Sequence, residues 1–164
     1  MVNNYLSAFE EKVLLDETKA SEQTKILDDI LIDADALVAL AKVDDSNHKK
    51  AISISKNLQM RGVFWLFSPF TIAESTTVLS HKVSQRSAKD FLRAIRELDI
   101  PVLSLKEEDI PLVDTWFLKQ EKKGTSYFDC YNMAILQKHK DLLLGIFSFD
   151  KIYSHNGFKT AEQL

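Results

Sequence analysis

Apolar positions along this chain fall into two alternating patterns. Continuous apolar runs stand at Ile30-Leu31-Ile32, at Val63-Phe64-Trp65-Leu66-Phe67, over residues 100–105 and over residues 142–149. Such short runs, bounded by turn formers, predict strands buried on both faces. Between them the apolar residues recur every three or four positions, which predicts helices over 35–41, 48–60, onward from 69–71, onward from Ser87, over 107–123 and over 125–138. Strands alternating with helices argue for an α/β fold with a mostly parallel sheet and helices on both faces.

Local signals set the expected ends. Asp35 offers the cap of the first helix, and Ser46 or Asn47 that of the second, with Ala51, Ile52, Ile54 and Leu58 inside and Gly62 as its stop. Ser87, with Asp90 three residues on, has the spacing of a capping box, and Phe91, Leu92, Ile95 and Leu98 make the stripe that follows. Pro101 falls near the start of its strand, where proline is tolerated. Pro111 suits the first turn of the 107–123 helix, which would bury Leu112, Trp116 and Phe117 and end at Gly124. Past Lys151, Gly157-Phe158-Lys159 could support a short edge strand. Residues 1–27, with Tyr5, Phe9 and Val13 at helical spacing among acids, read as an appended helix and linker ahead of a single domain over 28–164.

Composition is that of a folded protein: 45% hydrophobic, 27% charged, four glycines and three prolines in 164 residues. No apolar run approaches the roughly 20 residues that span a bilayer, and the first residues carry acids where a secretory signal carries cations, so a cytoplasmic protein is expected. The single cysteine, Cys130, lies among apolar residues with no adjacent base and reads as a buried thiol. His48 has no second histidine or cysteine at ligand spacing and reads as a surface or capping residue. A net charge of −3 argues against nonspecific gripping of nucleic acid through a wholly basic surface. Lys82, Arg86, Lys89, Arg93 and Arg96 recur at helical spacing, as either a solvated face or a track for an RNA backbone or acidic peptide.

Four acids share one kind of position. Asp33 and Asp150 each follow a strand, and Glu74 and Asp129 each stand in the first turn of a helix. In an open parallel sheet these places lie along the carboxyl edge, where ligands bind. Four converging carboxylates repel one another, and a divalent cation removes that cost. Oxygen ligands without histidine or cysteine favour Mg2+ or Mn2+ over zinc. Such a site can activate water and neutralise the charge developing on a phosphodiester.

The order and spacing of four short motifs carry a resemblance. They are the stretch from Leu31 through Asp33-Ala34-Asp35 to Leu40, Ile72-Ala73-Glu74-Ser75-Thr76-Thr77-Val78-Leu79, Tyr127-Phe128-Asp129-Cys130-Tyr131-Asn132-Met133-Ala134, and Phe147-Ser148-Phe149-Asp150. From about Ile30 to Phe158 the chain resembles the PIN-domain ribonucleases, most of all the toxins of VapBC-type toxin–antitoxin pairs. The resemblance implies a three-layer α/β/α fold and an Mg2+ or Mn2+ site made by Asp33, Glu74, Asp129 and Asp150. It gives Asp35 and Ser148 supporting roles, where family members often carry Ser, Thr or Asn and Thr respectively. It implies hydrolysis of RNA and raises an antitoxin protein and a homodimer as partners. Two other readings compete. A strand followed by Asp33-Ala34-Asp35 also fits a haloacid-dehalogenase-type phosphatase, although no late glycine-flanked acidic pair completes that pattern. A catalytically silent PIN-like module that binds RNA or protein is the other, against which stands the presence of all four acids.

Overall fold

A computed structural model describes residues 29–121 and 123–164, so the helix expected within 1–27 lies outside the described residues. Strand β1 (Asp29–Ile32) is the centre of a three-stranded parallel sheet ordered β2-β1-β3, with β2 (Phe64–Phe67) and β3 (Leu143–Phe147) on either side. Alternation along β1 sends Ile30 and Ile32 to one face and Leu31 to the other, and all three are completely buried. Burying each of these side chains stabilises the fold by roughly 1.5–3 kcal/mol. Helices α1 (Ala34–Ala41), α2 (His48–Met60), α3 (Thr71–Lys82) and α4 (Gln85–Glu97) cover the first face, through Ala36, Leu37, Leu58, Ile72 and Ile95. The second face is covered by α5 (Ile110–Leu118), α6 (Tyr127–Lys138) and α7 (Lys151–His155), through Val113, Met133, Ile135 and Tyr153. The result is the expected three-layer α/β/α arrangement.

The sheet is narrower than its apolar runs predict. Residues 100–105 form no strand: a single parallel bridge joins Val102 to Phe67, with the Phe67 N–H donating to the Pro101 carbonyl at 3.0 Å and the Leu103 N–H to the Phe67 carbonyl at 2.8 Å. Proline lacks a donor, so Pro101 can only accept here. With so thin an outer neighbour β2 is not fully buried, and Phe64 is 40% exposed. The other margin is similar. Residues 157–159 contribute a carbonyl, Lys159 to the Ile146 N–H at 3.0 Å, and one bridge at Thr160, followed by a short 3-10 turn at Ala161–Gln163.

Helix ends depart from expectation where a side chain competes for the terminal backbone groups. Asp33, not Asp35, caps α1, accepting from the Ala34 N–H. Ser84 caps α4 by accepting from the Ser87 N–H at 3.1 Å, which frees Asp90 to pair with Arg93 and Arg86. Within α4 the buried residues are Ala88 and Ile95, and Leu92 faces outward. Helix α5 stops at Leu118 because the Gln120 amide donates to the Trp116 carbonyl at 3.0 Å and closes its last turn; Val113 is its fully buried residue and Phe117 is exposed. Helix α2 matches its expected span, and Gly62 follows it at φ +75°, a conformation glycine adopts without strain. Among the described residues no helix is long and apolar enough to cross a membrane.

Candidate active site

Asp33 follows β1 directly and is buried at the carboxyl edge of the sheet. Its Oδ1 accepts from the Ala34 N–H at 2.8 Å and from Asn132 Nδ2 at 3.1 Å. Its Oδ2 accepts from the Ser148 hydroxyl at 3.2 Å and the Tyr153 hydroxyl at 2.9 Å. Four donors from three layers of the fold therefore fix one carboxylate.

The other acids reach this edge differently. Asp129 sits in the capping box of α6, where its Oδ2 accepts from the Ser126 N–H at 2.7 Å. Its Oδ1 lies 3.5 Å from the same Tyr153 hydroxyl. Asp150 caps α7 through the Ile152 N–H at 2.8 Å, and its own N–H donates to the Ser148 hydroxyl at 3.0 Å. Glu74 occupies the first turn of α3, half-buried. Asp35 accepts from the Phe149 N–H at 2.8 Å through Oδ2, while its buried Oδ1 has no partner among the described residues.

Electrostatics joins these groups into one cluster. Burial, then the charges of Asp35 and Asp129, push the Asp33 carboxyl up to about 8. Burial raises Asp35 as well, with the Asp150 charge adding to it against the hydrogen bond from the Phe149 N–H. Burial raises Glu74, followed by the charges of Asp129 and Asp35. Among the described residues, the charges that chiefly act on these three carboxyls are those of other carboxylates. Tyr153 is driven well above the ordinary tyrosine range by burial and by Asp33 and Asp129, so its hydroxyl remains a donor.

The structure thus ties Asp33 to Asp129 through Tyr153 and to Asp150 through Ser148, and it relates Glu74 to the others by charge alone. Among the described residues no three Asp, Glu, His or Cys side chains are grouped closely enough to hold a metal ion as they stand. The donor set nevertheless suits a hard cation, because it is all oxygen, short of positive charge, and includes the orphaned Oδ1 of Asp35. Asp35 ranks higher than its expected role as helix cap, since it lies in the electrostatic field of both Asp33 and Glu74.

Two residues escaped the sequence reading, Asn132 and Tyr153. Asn132 is three residues past Asp129, hence on the same side of α6, and is a buried polar residue in an apolar helix. Tyr153 is likewise three past Asp150, but only the cap at Asp150 makes that stretch a helix. His48 ties α2 to α1, its Nδ1 lying 2.7 Å from the Ala39 carbonyl. Cys130 is buried as expected, and burial with the nearby Asp129 pushes its thiol up to about 11.

No protein-family model matches this sequence, and no curated protein matches it. Among solved structures the chain is similar to VapC20 of Mycobacterium tuberculosis, described as a sarcin-ricin loop cleaving toxin, with a TM-score of 0.66 and 20% identity over 82% of this chain and 98% of that one. The chain has the PIN-like fold of that neighbour.

Proposed function

We propose that this chain is a metal-dependent endoribonuclease of the VapC toxin type. The observation that carries the reading is the cluster around Asp33, a buried carboxyl raised to about 8 by burial and by the neighbouring acids Asp35 and Asp129. Burying its charge among other acids costs the fold stability, and a function that uses the group explains why that cost is kept. The cluster's position at the carboxyl edge of the parallel sheet, the edge where open α/β folds bind ligands, supports the reading.

Asp33, Glu74, Asp129 and Asp150 would hold Mg2+ or Mn2+, with Asp35 and Ser148 in support. When bound, that ion would supply an activated water and neutralise charge developing on the phosphodiester. The protein's own part is positioning. Tyr153, Asn132 and Ser148 fix both oxygens of Asp33, and Asp35 clamps the Phe149 N–H and so sets the turn that presents Asp150. RNA would be the substrate and an antitoxin protein a partner.

One observation favours a second reading, a catalytically silent PIN-like binding module: among the described residues no three acid side chains are already grouped for a metal. A single assay separates the two. Purified protein is incubated with RNA in Mg2+, in Mn2+ and in EDTA, beside Asp33→Asn and Asp129→Asn. Metal-dependent cleavage lost in both variants supports the nuclease, whereas no cleavage, or cleavage undiminished in both variants, overturns it.

A further inference from the structure

Beside the acid cluster lies a cleft of about 550 Å3 between the α5–α6 connection and α7, and Asp150 is part of its wall. Its volume falls in the roughly 300–1,000 Å3 range of ligand sites. Lys119, Lys123, Lys151 and His155 line it against Glu121 and Asp150. Its two walls are joined: the side-chain amides of Gln120 and Asn156 bond each other in both directions, at 3.2 and 3.3 Å.

Two basic surfaces compete as the place where a polyanion binds. On α4, Arg86 and Arg93 both pair with Asp90, and no α4 residue lines the cleft that Asp150 lines. Among the described residues Lys119, Lys123 and Lys151 are exposed and in no ion pair, although Lys119 stands 4.9 Å over the Trp116 ring. Their charge is therefore available to a ligand. Next to Asp129, Phe128 is 40% exposed and stacked 4.9 Å from Phe70, which holds one face of its ring in place. Exposed cations in the cleft that Asp150 lines, and a supported, exposed ring next to Asp129 in the chain, are the kinds of group that bind single-stranded nucleic acid, the cations taking phosphates and the ring a base.

We propose that this cleft is the track for the single-stranded RNA that flanks the scissile phosphate. Lys119, Lys123 and Lys151 take backbone phosphates, and Phe128 takes a base at the rim of the acid cluster. The assignment rests on the nuclease reading for its substrate, and it is tested by binding alone. The full chain in EDTA is titrated against a fluorescein-labelled single-stranded oligouridylate by fluorescence anisotropy across a salt series, with thermal melts to confirm that each variant is folded. The triple variant Lys119→Ala, Lys123→Ala, Lys151→Ala is expected to bind about fivefold more weakly per lost contact in 0.1 M salt, with the log–log salt slope reduced by about 0.7 per contact. Phe128→Ala should weaken binding at least about fivefold and leave the slope unchanged. The Lys→Arg triple should bind like the parent, and Arg86→Ala with Lys89→Ala and Arg93→Ala should change little. Equal loss in the α4 variant, or parental affinity and slope in the cleft triple, overturns the proposal in favour of a protein occupant. Because cleavage plays no part in the readout, cleft-dependent binding by a protein that cuts nothing would fail the nuclease reading and keep the cleft as a site for single-stranded RNA.

Discussion

The Tyr153 hydroxyl donates to Asp33 Oδ2 at 2.9 Å and stands 3.5 Å from Asp129 Oδ1, so one buried phenol links two acids that are 96 residues apart in sequence. Asn132 Nδ2 donates to that same hydroxyl at 3.1 Å and to Asp33 Oδ1, which closes a ring of polar contacts inside an apolar layer. Tyr153→Phe keeps the ring packing and removes all three polar contacts of the hydroxyl. Urea unfolding is expected to show a loss of about 1–3 kcal/mol, the cost of stranding buried hydrogen-bonding partners. Metal affinity, read by calorimetric titration with Mn2+, should fall with it, since an outer hydrogen bond to a ligand is worth roughly 10–100-fold. An unchanged affinity with lowered stability would make Tyr153 a packing residue only.

Stability of the metal-free protein should fall as pH rises. Asp33 goes from the ordinary carboxyl value of 3.8 to about 8 in the folded chain, and Asp35 and Glu74 move in the same direction. Between those two values the folded state holds a proton that the unfolded state has released, so each group's contribution declines with pH, by at most about 1.4 kcal/mol per pH unit for one group. Melting temperatures in EDTA are therefore expected to be higher at pH 5.5 than at pH 8. A curve rising over this interval would mean that the cluster is not charge-frustrated.

Asp33→Asn removes the charge and keeps the shape. Asparagine also caps helices well, so α1 should start unchanged. The variant should melt higher than the parent in EDTA at pH 8 and show a flatter pH dependence, while RNA cleavage in Mg2+ falls by roughly a hundredfold or more, in keeping with the several kcal/mol a metal site supplies. Gain of stability with loss of activity is the mark of a functional acid; loss of both would point to a structural one.

What could be read beforehand follows from how local each signal is. The strand at 30–32 and helix α2 are set by contiguous residues, and both stand where the pattern places them. All four acids were visible because a strand end or a helix start marks each of them. The length of α5 was not, because it is cut by Gln120 reaching back to Trp116 and across to Asn156, just past the end of α7. The 100–105 run failed for a related reason: an apolar run says that a segment is buried, and the partner it meets decides whether more than one bridge forms. Tyr153 and Asn132 acquire their importance only when α6 and α7 pack on the same face of β1, a tertiary fact that no local pattern states.

The C-terminal segment is held at an irregularity in β3. Between Asp29 and Leu31 on β1 the facing residues of β3 are Leu143 and Ile146, so β3 carries one extra residue there, and Gly145 lies inside that irregularity. Its φ is +156°, and a methyl group at its Cα would stand 2.3 Å from the Lys159 carbonyl oxygen, the same oxygen that accepts from the Ile146 N–H. The neighbour is backbone and cannot rotate away. Gly145→Ala must therefore push residues 157–160 off the sheet margin or distort β3 just ahead of Ser148 and Asp150. An overpacked contact of this kind costs about 1–3 kcal/mol. Amide hydrogen exchange should show faster exchange at Ile146 and Thr160, with α2 unaffected. Because β3 leads into the turn that presents Asp150, cleavage should drop further in Gly145→Ala than in a surface variant of equal instability, and equal activity at equal stability would separate this margin from the site.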